Sequence, residues 1–316
     1  MKLIGIDIGG TKCSVVTGDE TGKATGKTRI ETKGYEETIG RIFDAVREAG
    51  QADAVGISCG GPLDEKNGVI KSPPNLPGWD NVPICDMIKK QFGMKCVIKN
   101  DADACAAAEW KYGAGKGTSN MVFLTFGTGM GAGLIINGAP YYGANGNAGE
   151  AGHIRLAGNG PVGYHKAGSF EGFCSGGGIK QLGVSAAKKL FSKGLPGPLF
   201  CESEADLPSV TAKTIAEAAY KGDKTAIGVY KKSARYLGRG VSVLIDILNP
   251  DMIVIGGIYP RCEDLIRDEM MKAIKKEALS NSAEACRVVP AYFKDDIGDV
   301  AALSVAALAV QFIIRT

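Results

Sequence analysis

Leu3-Ile-Gly-Ile-Asp-Ile-Gly-Gly-Thr-Lys12 is an apolar run that ends in a two-glycine turn, and Cys13 to Thr17 continues it as a second extended run. Met121-Val-Phe-Leu-Thr-Phe-Gly-Thr-Gly-Met130 repeats the pattern and leads into a further run from Ala132 to Asn137. Each turn therefore joins strand to strand. In a dinucleotide-binding fold the glycines instead open a helix whose dipole holds the pyrophosphate, and nothing after Thr11 has helical period. One such turn alone reads as a hairpin whose glycines supply positive φ. The repetition favours two phosphate-sized turns whose backbone N–H groups face one polyphosphate from opposite sides. Asp7 aligns with Thr125, Gly9 with Gly127 and Thr11 with Gly129, as in a duplicated domain that kept one acidic copy. A carboxylate beside a phosphate turn suits a hydrated magnesium ion.

The 316 residues suffice for about two domains of ~100–200 residues each. With 45% hydrophobic and 22% charged residues, the composition is that of a soluble globular protein with material for buried cores. Glycine is the deviation: 45 residues, about twice the usual share of ~7%, many at strand ends. The net charge of +3 comes without a run of five or more lysines or arginines, which disfavours a nucleic-acid partner. Nine scattered cysteines with no C-x-x-C spacing read as reduced thiols of a cytoplasmic protein. The amino terminus lacks a signal-peptide pattern, and no apolar run approaches the ~20 residues of a membrane span.

The spacing predicts three strands over residues 1–32, a helix over Glu36 to Ala49 and a strand from Ala54 to Ser58. A helix from Pro83 to Phe92 and a strand from Cys96 to Lys99 follow, leading into an alanine-rich helix that starts at Asn100-Asp101. This alternation implies an α/β half with crossover helices. From Ser119 the strand–turn–strand pattern restarts, and residues 143–178 read as a long functional loop. Helices are expected at Thr211 to Ala218, Lys224 to Leu244 and Glu263 to Leu279, with a buried strand at Met252 to Ile255 ending in Gly256-Gly257. A last helix spans Val300 to Ile314. The domains are placed at residues 1–118 with a returning helix over 300–316, and at 119–299.

These residues resemble the ROK family of sugar kinases, transcriptional repressors and sugar-sensing proteins. The resemblance covers the whole length, and carries with it the α/β two-domain actin-like ATPase fold of the hexokinase type, which is ribonuclease H-like. It rests on Gly5 to Lys12, Gly61-Pro62, Asn75-Leu-Pro-Gly-Trp79, Asn100-Asp101-Ala-Asp103, Gly127-Thr-Gly-Met-Gly131, Gly149-Glu-Ala-Gly-His153, Glu171, Asn249-Pro250 and Gly256-Gly257. The family places its general base at Asp101, where a strand end lines the crevice of an open sheet. On spacing alone, Asn100 and Asp101 read as capping and charging the following helix, and the resemblance reverses that reading. By resemblance, Asn75, Asn100, Glu150, His153 and Glu171 bind the sugar, and hydroxyl-accepting groups of this kind reject analogues that lack the hydroxyl. Two glutamates would repel an anion, so a neutral sugar is expected. Trp79 either shapes the pocket wall or packs in the core.

ATP is expected on Gly9, Gly10, Thr11 and Lys12 from one side and Thr128 and Gly129 from the other, with Gly256 and Gly257 admitting the adenine. Mg2+ would bridge the phosphates, with Asp7 acting through water. Many relatives bind a structural zinc through the histidine at His153 and three cysteines. Here Val162, Tyr164 and Ser169 occupy the cysteine positions, so no zinc site is expected. What then holds the loop over residues 152–173 is left open.

The resemblance implies an ATP-dependent kinase for a neutral hexose, with glucose first and N-acetylmannosamine second. A catalytically silent sugar sensor of the same family is the alternative. A repressor is disfavoured because the chain begins on its first strand without a helix-turn-helix. A homo-oligomer, dimer or tetramer, is implied by the family alone.

Overall fold

The computed structural model describes residues 1–311, and the end of the last expected helix and of the first domain, 312–316, lies outside the described residues. The chain divides into two compact units: Met1–Ser119 with Gly133–Gly146 and the segment from Tyr292 onward, and Asn120–Ala132 with Asn147–Ala291. The edges differ from the expected ones at 133–146 and 292–299, which both count with the first unit.

The first unit begins with β1 (Leu3–Ile8), β2 (Lys12–Gly18), β3 (Ala24–Glu31), α1 (Tyr35–Ala49) and β4 (Ala54–Cys59). A short hairpin of β5 (Leu63–Asp64) and β6 (Val69–Ile70) precedes α2 (Ile84–Phe92), β7 (Cys96–Asn100) and α3 (Asp101–Tyr112). The sheet order is β3-β2-β1-β4-β7. β1 pairs antiparallel with β2 and parallel with β4, and β4 pairs parallel with β7.

Alternation along the strands sorts the two faces. Ile4, Ile6, Ile8, Val55, Ile57 and Ile98 pack with Ile42 and Val46 of α1 and Ile88 of α2 in one buried core. Trp79 belongs to this core, fully buried and edge-on to Tyr35. Its indole N–H finds no acceptor among the described residues.

Leu3, Gly5 and Asp7 face the other way, toward the last helix. Gly5 and Gly56 are direct partners in the β1–β4 register. A Cβ on Gly56 would lie 2.2 Å from the Ala306 nitrogen, and one on Gly5 would lie 2.8 Å from the Leu303 nitrogen. Two facing glycines therefore let a helix backbone rest directly on the sheet. α3 packs against the same helix, and its alanines Ala102, Ala104 and Ala106 to Ala108 are all buried.

The second sheet contains β8 (Met121–Phe126), β9 (Met130–Ile136), β10 (Ala139–Tyr141), β13 (Met252–Ile255) and β14 (Arg287–Pro290), in the order β10-β9-β8-β13-β14. In the second unit β13 runs parallel to both β8 and β14. The segment expected to be loop, 143–178, holds a hairpin of β11 (Val162–Gly163) and β12 (Lys166–Ala167), then α4 (Phe170–Phe173) and the first residues of α5 (Gly176–Phe191), a helix not expected from the sequence. α6 (Ala212–Tyr220), α7 (Lys224–Leu248), α8 (Glu263–Glu277) and α9 (Ser280–Ala285) complete this unit. α7 carries the largest buried face, including Val229, Tyr230, Leu237, Val241 and Ile245, against α5, α6 and α8. The last helix, α10 (Ile297–Gln311), returns to the first unit and begins three residues earlier than the sequence suggested. Among the described residues no helix is long and apolar enough to cross a membrane.

Candidate active site

The sheet face that carries Gly5 ends in a polar row. In register across the strands lie Arg29 of β3, Ser14 of β2, Asp7 of β1, Ser58 of β4 and Lys99 of β7. Directly opposed residues on neighbouring strands share a face, so the register alone brings these groups together. Asp7 sits two residues beyond Gly5 and meets the amino-terminal end of α10, where a Cβ on Gly298 would come within 2.5 Å of its Oδ2.

A cavity of about 260 Å³ opens over this row, lined by Asp7, Lys12, Ser14, Ser58, Asp101 and Asp299 among others. Lys27 and Arg29 also line it, as does Asp295. The Ser14 hydroxyl donates to Asp299 Oδ1 at 2.8 Å, and Lys27 forms an ion pair with Asp299 Oδ2. Burial pushes the Asp7 carboxyl up to about 6, helped by the charges of Asp101 and Asp299 and opposed by a hydrogen bond with Ser58 and the charge of Lys12. None of Ser14, Ser58, Lys27, Arg29 or Asp299 was singled out from the sequence.

Asp101 is the first residue of α3. Asn100, its N-cap, accepts a hydrogen bond from the Ala102 amide at 2.9 Å, and Asp101 Oδ1 accepts from the same amide at 2.8 Å. The capping role read from spacing is thus real for both residues, and Asp101 faces the cavity as well. The residue as a whole is exposed, yet its carboxyl is desolvated. That desolvation raises it above the usual carboxylate range, against the backbone hydrogen bonds.

The glycine turn of the first unit is closed by Gly9 N–H donating to the Lys12 carbonyl and by the Thr32 hydroxyl donating to the Gly9 carbonyl. Thr11 is exposed, and its carbonyl accepts from the Thr32 amide at 3.1 Å. Gly10 lies so close to Asn75 that a Cβ would come within 2.5 Å of the Asn75 carbonyl oxygen. The structure thus joins the expected phosphate turn to one expected sugar residue, and Asp7, Lys12 and Asp101 to one cavity.

In the second unit three glycine segments gather at the ends of β8 and β13. The Gly176 amide donates to the Gly127 carbonyl at 2.8 Å, and Ile258 to the Phe126 carbonyl at 2.6 Å. Gly257 has φ of +69°, and a Cβ there would stand 2.1 Å from the Phe126 oxygen, so only glycine fits. A Cβ on Gly256 would meet the Phe123 ring at 2.8 Å. Thr128 stands exposed at the turn. Gly176 to Gly178 open α5 beside that turn and were not foreseen; Ser175 caps the helix by accepting from the Gly178 amide at 3.0 Å.

Glu171 reaches the same turn, where Oε2 accepts from the Met130 amide at 3.1 Å and sets the space beside Gly129. Thr125, aligned with Asp7, uses its hydroxyl to accept from the Gly131 amide at 2.8 Å. The neutral copy of the repeat therefore serves its own turn. Glu150 and His153 are exposed at the two ends of a 3-10 turn, with the His153 amide donating to the Glu150 carbonyl.

The hairpin of β11 and β12 occupies the region of the missing cysteines. Its turn residues Tyr164 and His165 both have positive φ, +39° and +63°, as a type I′ hairpin requires. Gln181 of α5 clamps it from the side, donating to the Val162 carbonyl at 2.8 Å and accepting from the Val162 amide at 2.9 Å. Ser169 caps α4 by accepting from the Gly172 amide at 3.0 Å. Lys166 donates to the His153 carbonyl at 2.8 Å, and the Tyr164 ring lies edge-on to His153. Backbone pairing and these side chains hold the loop in this chain.

Residues 3–309 match the ROK family. A glucokinase from Thermotoga maritima is 32% identical over 312 residues, spanning 96% of this chain and 97% of that protein. Among solved structures, a ROK family glucokinase from Streptomyces griseus in complex with glucose and AMPPNP is 29% identical with a TM-score of 0.80, covering 98% of this chain and 100% of that one. A ROK hexokinase from Thermus thermophilus is 27% identical with a TM-score of 0.82, covering 99% and 100%. The fold is the two-domain actin-like ATPase fold that the sequence implied. The chain belongs to the ROK family.

Proposed function

We propose that this ATP-dependent sugar kinase phosphorylates glucose and that Asp101 is its general base. The observation that carries the assignment of the base is the Asp101 carboxyl itself: it stands at a strand-to-helix junction, opens onto the cavity that also holds Asp7 and Lys12, and is raised by desolvation. A base with a raised pKa is a better proton acceptor near neutral pH. Glucose is supported by the glucokinase relatives and by glucose in the Streptomyces griseus complex.

Asp101 takes the proton of the attacking hydroxyl as that oxygen bonds to the γ-phosphorus, and ADP leaves with the bridging oxygen. Because phosphoryl transfer proceeds through a loose transition state, positioning and charge neutralisation supply most of the catalysis. Lys12 brings a cation to the phosphates, and the amides of Gly10 to Lys12 and of Thr128 and Gly129 are proposed as their hydrogen-bond donors, while Gly9 shapes the first turn through its own bond to the Lys12 carbonyl. Asn75, Asn100, Glu150, His153 and Glu171 are proposed contacts to the sugar hydroxyls, and Gly256 and Gly257 a seat for the adenine.

Among the described residues no group of three metal-ligating side chains is assembled. Magnesium keeps several waters and takes one or two carboxylates plus substrate phosphates. Asp7, steadied by Ser58, fits as the carboxylate that would hold it. When bound, magnesium supplies charge neutralisation at the phosphates.

A coupled ADP-release assay over a panel of neutral hexoses tests this reading. Glucose is expected to give the highest kcat/KM, with N-acetylmannosamine turned over less well; no turnover on any sugar would make the chain a silent sensor. Asp101→Asn is expected to lower kcat by ~10²–10⁴, and near-normal turnover would remove Asp101 from the mechanism.

A further inference from the structure

β7 is an outer strand of its sheet, so some of its amides have no ladder partner and need another acceptor. The Asn100 amide, at the last position of β7, donates to Glu65 Oε1 at 2.9 Å. The other oxygen of the same carboxylate, Oε2, accepts from Lys99 Nζ at 2.7 Å. Both side chains of this pair are largely covered, with 22% of the lysine and 15% of the glutamate exposed. Lys99 Nζ also lies 3.4 Å from the centre of the Tyr142 ring. One carboxylate thus binds two consecutive residues immediately before Asp101, and an aromatic face steadies the cation between them.

Glu65 is itself held on a firm platform. It follows β5 in the hairpin turn, where Asp64 Oδ1 accepts from the Asn67 amide at 3.1 Å and Asp64 Oδ2 from Asn67 Nδ2 at 2.9 Å. Gly68 closes the turn with φ of +68° and packs on Cys85, the Cβ of which would lie 2.4 Å from a Cβ at that position. Charge-assisted hydrogen bonds of this kind are about twice as strong as neutral ones, and they hold geometry as well as contribute energy.

We propose that Glu65 is a positioning residue for the phosphoryl-transfer reaction: through the Asn100 amide and Lys99 it fixes the strand-to-helix junction that aims the Asp101 carboxylate. This rests on the reading of Asp101 as the general base. Glu65 touches neither substrate nor phosphate in this scheme. Its effect is on alignment, where a displacement of about 1 Å can cost ~10²-fold in rate.

The test measures kcat and KM for glucose and ATP in Glu65→Ala, Glu65→Gln, Asp101→Asn and the Glu65→Ala/Asp101→Asn double variant. Glu65→Ala is expected to lower kcat by roughly 10- to 100-fold with little change in KM for ATP. Glu65→Gln, which keeps an acceptor for the Asn100 amide, should recover most of that loss. In the Asp101→Asn background the alanine substitution should cost almost nothing further, because there is no base left to misplace. Should the alanine variant fail to fold, Glu65→Met fills the space without an acceptor and carries the same expectation.

A Glu65→Ala kcat within about twofold of wild type, or the same fold-loss with and without Asp101, overturns the proposal. A merely structural role would lower the melting temperature without this dependence on Asp101. Near-normal turnover in Asp101→Asn alone would instead defeat the general-base reading, and the positioning role with it.

Discussion

Asp7 and Asp101 share a cavity that raises both carboxyls, and each direction of shift has a measurable consequence. On the proposed mechanism both groups must be ionised, one as the carboxylate that would hold magnesium and one as the proton acceptor. With Asp7 pushed up to about 6, kcat/KM is expected to fall as pH drops through about 6, well above the range of an ordinary carboxylate, when measured from pH 4.5 to pH 8 at fixed ionic strength. An acid limb at pH 4 would contradict the crowding of charge in this cavity. The sign for stability is the reverse. Between the usual 3.8 and about 6 the folded state holds a proton that the unfolded state has lost, so stability declines as pH rises through that window. Asp7→Asn removes the penalty and is expected to stabilise the protein at pH 7 by about 1–3 kcal/mol while abolishing most activity, with denaturant unfolding and the ADP assay as the paired readouts. Asp7 was legible in the sequence because it stands beside a glycine turn, and Asp101 through the family resemblance, since spacing alone reads as a helix cap. Ser14, Ser58, Lys27, Arg29 and Asp299 were not, because register across the sheet and a helix returning from the far end of the chain bring them together.

The same contrast holds for elements. Strands and helices with clean periodicity, such as α1, β4, α7 and β13, were recognised within a few residues of their ends. α5 was missed because Gly176-Gly177-Gly178 opens it, and each glycine costs a helix about 1 kcal/mol relative to alanine. Tertiary contact explains it: a Cβ on Gly178 would lie 2.0 Å from the Gly172 oxygen, so close packing overrides propensity, and Ser175 supplies the cap. β5 and β6, two residues each, were too short to carry an alternating pattern, and with them Glu65 escaped notice. The glycines of the first sheet give a paired test. Gly56→Ala is expected to destabilise by about 1–3 kcal/mol or more, since its Cβ would collide with the backbone of α10 at 2.2 Å. Gly40→Ala, on the exposed side of α1 with nothing within 4 Å, should stabilise by about 0.4–1 kcal/mol. Urea unfolding of both variants checks the pair, and equal effects would mean that α10 does not rest on the sheet through Gly56.

For the molecule as a whole, the repeated strand–turn–strand pattern made two α/β units legible, and the family resemblance supplied the fold. The assignment of residues 133–146 to the first unit was not legible, because β9 begins in the second unit and β10, which follows it, packs with α3 of the first. Periodicity reports which face of a strand is buried and is silent about what buries it. Ligand binding tests the functional reading at this scale, because a ligand that binds only the folded state stabilises it by RT ln(1 + [L]/Kd), about 2.7 kcal/mol at 100 times Kd. Glucose at such a concentration is expected to raise the melting temperature by several degrees in calorimetry. A site that hydrogen-bonds each hydroxyl leaves its own buried acceptors unpaired when one is missing, so among the singly deoxygenated glucoses those lacking a bound hydroxyl should lose most of the shift. A larger shift with N-acetylmannosamine than with glucose would reassign the substrate while leaving the kinase chemistry intact, because the cavity around Asp7 and Asp101 does not depend on which neutral sugar presents the hydroxyl.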